Sequence, residues 1–111
     1  MTARAKDLEA STFQKRPAYR YIRESDHVPV EAPDDGTAVA LVKLFAPDGG
    51  WRWYIAAYDP LTRTAYGLVH GQEDEYGYFF MEELVAFRGR FGLPIERDLY
   101  WKPRPLSECL V

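Results

Sequence analysis

The side chains best equipped for chemistry in this 111-residue chain lie near its end, in Ile95-Glu96-Arg97-Asp98-Leu99-Tyr100-Trp101. If that run is extended, Glu96 and Asp98 share one face with Tyr100, and paired carboxylates are the parts of acid–base catalysis. Arg97 then points with Ile95, Leu99 and Trp101 toward the apolar side. An arginine among apolar neighbours needs an acid or an aromatic face, and Asp59 or Glu75 could serve. The group reads either as a pre-set site for an anion or carboxylate, or as an internal ion pair that fixes the last strand. The second reading needs fewer assumptions.

A second constellation is Trp51-Arg52-Trp53-Tyr54, with Phe45 and Tyr58 nearby. Aromatics interleaved with arginine on a sheet can stack on nucleobases, each stack being worth ~1–3 kcal/mol. Arg52, Tyr54 and Tyr58 share one face of such a strand and form the candidate binding face. The plainer reading puts Trp51 and Trp53 in a core beneath a helix. A third group is His70-Gly-Gln-Glu-Asp-Glu75. His70 and Glu75 could meet His27, but three consecutive acids scatter around a chain, and no HExxH, EF-hand or CxxC pattern is present. Nucleophilic catalysis finds no serine elbow, and Gly49-Gly50 lacks the GK[ST] that follows a phosphate-cradling loop. We therefore expect no cofactor and no metal.

The elements that would position these groups follow from pattern. Residues 1–16 mix Ala, Lys, Glu and Leu and could form a short helix before Pro17; residues 17–37, with Pro17, Pro29, Pro33 and Gly36, read as an irregular lead-in. Residues 38–45 are aliphatic on both faces of a period-2 pattern, as in a covered strand. Pro47-Asp48-Gly49-Gly50 is a turn, and residues 51–58, 64–69 and 76–80 are further strands. In residues 81–88 the period changes: Met81, Leu84, Val85 and Arg88 fall at helical spacing, Glu82 and Glu83 suit the positive end, and Gly89 supplies a stop. The expectation is an α+β fold: a small antiparallel meander of about four to five strands with a short helix on one face, residues 38–111 forming one domain behind a basic arm, residues 1–37.

Composition narrows the functions. At 47% hydrophobic and 15% aromatic, the chain has enough apolar surface to offset its conformational entropy. No run approaches the roughly 20 apolar residues of a membrane helix, and residues 1–10 lack the apolar core of a secretory signal. With a single cysteine, Cys109, these features point to the cytoplasm and away from a membrane. The net charge of −3 hides blocks. Residues 1–23 hold six basic side chains (Arg4, Lys6, Lys15, Arg16, Arg20 and Arg23) against Asp7 and Glu9, whereas residues 24–36 and 72–83 each hold five acids and no Lys or Arg.

Several runs are distinctive together: Val42-Lys-Leu-Phe-Ala-Pro-Asp-Gly-Gly-Trp-Arg-Trp-Tyr54, Tyr58-Asp59, Tyr66-Gly-Leu-Val-His-Gly71, Glu75-Tyr-Gly-Tyr-Phe79, Glu83-Leu84 and Gly92-Leu-Pro-Ile-Glu-Arg-Asp-Leu-Tyr100. In this order and spacing the chain resembles the bacterial and phage "domain of unknown function 2958" family, over nearly its whole length. The resemblance implies a small domain of no established reaction, carried by plasmids, integrative elements and phages near genes of transfer, replication and anti-restriction. It also implies that Asp59, Glu75, Glu96, Arg97 and Asp98 match the family pattern. Two positions depart from it: Ala57 stands where an acid is usual and Arg52 where Thr is usual.

Taken together, the sequence leads to an accessory domain that acts by binding, with a host protein the favoured partner given the net negative charge, and inhibition of a restriction or CRISPR defence complex as its sharpest form. One alternative is nucleic-acid binding through Arg4, Lys15, Arg16 and Arg52. The other is an enzyme using Glu75, Glu96, Arg97 and Asp98. The oligomeric state stays open.

Overall fold

The computed structural model describes residues 6–11 and 16–110. Its centre is an antiparallel sheet of five strands: β4 (Val42–Phe45), β5 (Arg52–Asp59), β6 (Thr64–His70), β7 (Asp74–Phe80) and β8 (Glu96–Arg97), in the order β7-β6-β5-β4-β8. The expected meander is β4 to β7, and β8 adds to its far side. Two ribbons flank the sheet: β1 (Asp7–Ala10) with β2 (Arg20–Arg23), and β3 (Val39–Ala40) with β9 (Arg104–Pro105). Among the described residues a single α-helix, α1 (Met81–Ala86), follows β7 directly and buries Met81 and Leu84. The fold is α+β, small and mostly antiparallel, as the pattern of strands followed by a helix implies.

The apolar alternation along β4, β5 and β6 gives each face of the sheet its own core. On one face lie Val42, Leu44, Trp53, Ile55, Ala65, Met81 and Leu84, covered by the β1–β2 ribbon and α1. On the other lie Tyr54, Ala56, Ala57, Tyr66 and Leu68, covered by Ala38, Ala40 and Leu106 of the β3–β9 side. Each fully buried Leu, Ile or Val contributes roughly 1.5–3 kcal/mol of transfer free energy. Covering both faces explains why β5 is buried at six consecutive positions, Trp53 to Tyr58.

Several expectations need correction. Of the helix expected over residues 1–16, residues 1–5 and 12–15 lie outside the described residues, and residues 7–10 form a strand, β1, whose pairing with β2 buries Glu9 and Ser11. The lead-in contains β2, whose Tyr21 and Ile22 are wholly buried, and the Tyr21 hydroxyl donates to the Ile95 carbonyl at 2.6 Å. The basic and proline-rich composition of this stretch masks that anchor. The helix stops at Ala86 and not at Arg88: Phe87 is extended and packs edge-on against Trp53, ring centroids 5.9 Å apart. Gly89 serves a different purpose from a helix stop. A side chain there would collide with the Asp48 carboxylate, which accepts the Phe91 backbone N–H at 2.8 Å.

The decisive irregularity is a bulge in β5. Ile55 pairs with Gly67 and Ala57 with Tyr66, leaving Ala56 as an extra residue. Beyond it every side chain changes face. Tyr58 therefore joins the core of Trp53 and Ile55, and Asp59 turns toward the opposite face beside Ala57. Gly67 is the enabling partner, since a Cβ there would stand 1.7 Å from the Tyr54 carbonyl oxygen.

Candidate functional site

The bulge that turns Asp59 also builds a cleft. Strands β5 and β6 supply Ala57, Asp59, Thr64 and Tyr66; Tyr78 comes from β7, and residues 30–32 form the opposite wall with Glu31. The volume is about 390 Å³, and Thr62 closes the end near the β5–β6 turn. That turn is held by Asp59 itself, whose carboxylate accepts the Leu61 N–H at 2.9 Å, and by Arg63 in a left-handed conformation, φ 57°. Tyr66 and Tyr78 face each other across β6 and β7 with centroids 5.0 Å apart and planes tilted 56°. The Tyr66 hydroxyl donates to Asp34. Burial, and then the Asp34 carboxylate, push the Tyr66 hydroxyl above its ordinary value, so it keeps its proton and remains the donor.

This arrangement is acidic and aromatic. Glu31 and Asp59 line it, Asp34 borders it, and Tyr78 is 73% exposed and so presents its ring to solvent. A carboxylate beside a tyrosine face recognises a cation by charge and by the ring quadrupole together. Ala57, the position where the resemblance implies an acid, lies in the same wall.

The opposite face uses its charges differently. Glu9, 3% exposed, accepts the Tyr58 hydroxyl at 2.6 Å and the Arg63 Nε–H and Nη2–H at 2.9 and 2.8 Å. Arg97 makes a two-point contact with Asp26, at 2.6 and 2.8 Å. Burial acts to raise the Asp26 carboxyl, but hydrogen bonds from Arg97 and the Arg23 backbone outweigh it and leave the group below the ordinary carboxylate value. Arg20 and Arg23 lie 3.8 and 3.2 Å from Asp7.

Most residues singled out from the sequence fall apart as groups. Arg97 meets Asp26, and neither Asp59 nor Glu75, because β8 pairs with β4 beside β2 and far from the β5–β6 turn. Asp98 sits 3.5 Å from Lys43 and accepts the Tyr100 N–H. Glu96 lies opposite Phe45 at the β4–β8 edge. Glu75 is on β7 in a shallow hollow with Trp51, Gln72 and Glu73. Of the candidate polar residues, Asp59 alone lines the acidic cleft.

The candidate binding face is likewise divided. Arg52 is exposed, Tyr54 is buried against Trp101, and Tyr58 lies on the other face, bound to Glu9. The bulge separates Tyr58 from Tyr54. Arg16 is exposed, whereas Arg4 and Lys15 lie outside the described residues. The tryptophans split: Trp53 is in the core and Trp51, 41% exposed, stacks on it over Gly71.

His70 pairs with Asp74, and among the described residues no three His, Cys, Asp or Glu side chains form a metal-binding group. Burial pushes the Cys109 thiol up to about 11, which leaves it a poor nucleophile at neutral pH. No helix among the described residues is long and apolar enough to cross a membrane.

Glu31, Asp34, Tyr66 and Tyr78 were missed as a group because the residues are distant in sequence. The available signal was the acidic block at residues 24–36, which folds over the tyrosines of β6 and β7. The chain belongs to the family described as protein of unknown function (DUF2958), which matches residues 14–110. No curated protein and no solved structure matches the chain.

Proposed function

We propose that this member of the family works by binding a protein partner through the acidic, tyrosine-lined cleft, and not by catalysis with the carboxylates of residues 96–98. The observation that carries the reading is the cleft itself: Asp59 and Glu31 stand beside the exposed ring of Tyr78, in a hollow of about 390 Å³. Its chemistry favours a partner that presents Arg or Lys. The enzyme reading needs Glu75, Glu96, Arg97 and Asp98 in one place, and they occupy separate ones. Nucleic-acid binding keeps Arg16 and Arg52 at the surface, but Arg20 and Arg23 face Asp7. The resemblance to members on mobile elements supports a host protein as the partner, with a defence complex as the sharpest form of the reading.

Affinity capture from cells of the source organism tests this, using tagged wild-type chain and the Tyr78→Ala variant with quantitative mass spectrometry. The expected result is a near-stoichiometric partner in the wild-type sample, depleted at least about tenfold in the variant. Recovery of only ribosomal proteins and chaperones with both chains would sink the proposal.

A further inference from the structure

The cleft opens onto the outermost strand of the sheet. β7 pairs with β6 on one side, and among the described residues no strand pairs with its other edge. An edge strand of seven residues is a template for another chain, and proteins usually guard such edges with lysine, proline, a bulge or a very short strand. β7 has no Lys, Pro or bulge, its charges are confined to Asp74 and Glu75 at one end of Asp74-Glu-Tyr-Gly-Tyr-Phe-Phe80, and its register with β6 runs unbroken from Thr64–Phe80 to His70–Asp74. Phe79 packs against the core and pins the strand. Tyr76, Tyr78 and Phe80 alternate along the cleft face and are 48, 73 and 55% exposed. At Gly77 a Cβ would meet nothing within 4 Å, so the face of the strand opposite Tyr76 and Tyr78 is open at its middle.

Charge selects the occupant. Glu73, Asp74 and Glu75 stand at one end of β7, and Glu82 and Glu83 at the other. A second copy added antiparallel would bring the first group against the second, and one added parallel would set each group against itself; both put like charges together. A basic segment meets neither penalty.

We propose that the outer edge of β7 receives an extended Arg- or Lys-bearing segment of a partner protein as an added strand, with one basic side chain entering the cleft of Asp59, Glu31 and Tyr78. Main-chain hydrogen bonds then supply affinity, and the cleft supplies the choice of side chain. The proposal rests on the protein-binding reading and goes further by naming the partner's conformation and charge.

Three fluorescent decapeptides test it by anisotropy against the full chain: one alternating Arg and Val, one with Glu in place of Arg, and the Arg peptide with a central Pro. The Arg peptide is expected to bind, to lose at least about tenfold with the central Pro, and to lose about a hundredfold when Glu replaces Arg. Tyr78→Ala is expected to weaken it about tenfold, equal to about 1.4 kcal/mol, and Asp59→Asn to weaken it in the same direction. Thermal melts of both variants establish that they are folded.

Equal binding of the Pro peptide overturns strand addition, and equal binding of the Glu peptide overturns the charge argument. If no peptide binds, the inference fails even where affinity capture still recovers a partner through Tyr78; if capture fails too, the broader reading falls with it. A dimer in sedimentation equilibrium that Tyr78→Ala dissociates would show that a second copy fills the edge, and would also overturn it.

Discussion

The two faces of the central sheet carry nearly the same kinds of residue, tyrosine beside acid, and put them to opposite uses. On the face of β1 and β2, Glu9 is enclosed and takes hydrogen bonds from Tyr58 and Arg63, while Asp26 and Arg97 match each other point for point. On the cleft face, Asp59 and Glu31 line an open hollow, and Tyr78 stands in solvent beside them. Acids that have an arginine of their own are structural; acids gathered beside an exposed aromatic ring, with no arginine paired to them among the described residues, are available to a partner. The one-residue bulge at Ala56 assigns the last two polar residues of β5 to these roles, Tyr58 to the closed side and Asp59 to the open side.

The sharpest way to break this contrast is to remove an arginine from the closed side. Arg63→Ala leaves the Glu9 carboxylate buried with the Tyr58 hydroxyl, and is expected to cost about 3 kcal/mol in urea unfolding. Partner binding per mole of folded protein should be unchanged. A loss of binding without a loss of stability would place Arg63 in the functional surface.

Next in size is Asp26→Asn, expected to cost about 2 kcal/mol near neutral pH, since Arg97 is largely buried and loses its charged partner. The pH dependence follows from the lowered Asp26 carboxyl. A depressed folded-state value contributes stability that is present above the ordinary value of 3.8 and is lost as pH falls through the folded value. The gap between wild type and variant should therefore be full at pH 6 and narrow below about pH 4 in acid-titrated unfolding curves. A gap that persists undiminished to pH 2 would remove the ion pair from the account.

The open side should show the reverse pattern. Tyr78→Ala is expected to change stability by less than about 0.5 kcal/mol, because the ring is exposed, while reducing partner affinity about tenfold. The smallest effect is expected for Arg52→Ala, which should leave the unfolding midpoint and partner capture near wild type. Strong salt-sensitive DNA retention that Arg52→Ala abolishes would move the functional surface to the other end of β5.

The sequence made the elements legible where periodicity was clean. The strands from Arg52 to Phe80, the turn at Pro47-Asp48-Gly49-Gly50, and the change to helical spacing at Met81 stand in the structure, whereas residues 38–45 break at Leu41 into β3, which pairs with β9, and β4. It failed where tertiary contacts decide. β1 and β2 lie in charged, proline-bearing sequence, and what makes them strands is burial of Tyr21 and Ile22 against Ile95, about 74 residues away. Ala56-Ala57 has no composition that announces a bulge, so period-2 alternation puts Tyr58 on the face opposite to the one it occupies. The candidate polar residues were grouped by proximity along the chain, and adjacent positions in an extended segment point apart: Arg97 to Asp26 and Asp98 to Lys43. The cleft needed three segments brought together by the sheet, and of its acids Asp59 was the one identified in advance.

Amide hydrogen exchange across the whole chain, with and without the captured partner, tests the central claim most directly. The expected map shows new protection in residues 30–34, 57–66 and 74–80, strongest along the outer edge of β7, with the Asp26–Arg97 region unaltered. Protection confined to residues 20–26 and 96–98, or to Arg52 and its neighbours, with β7 exchanging as in the free protein, would contradict it.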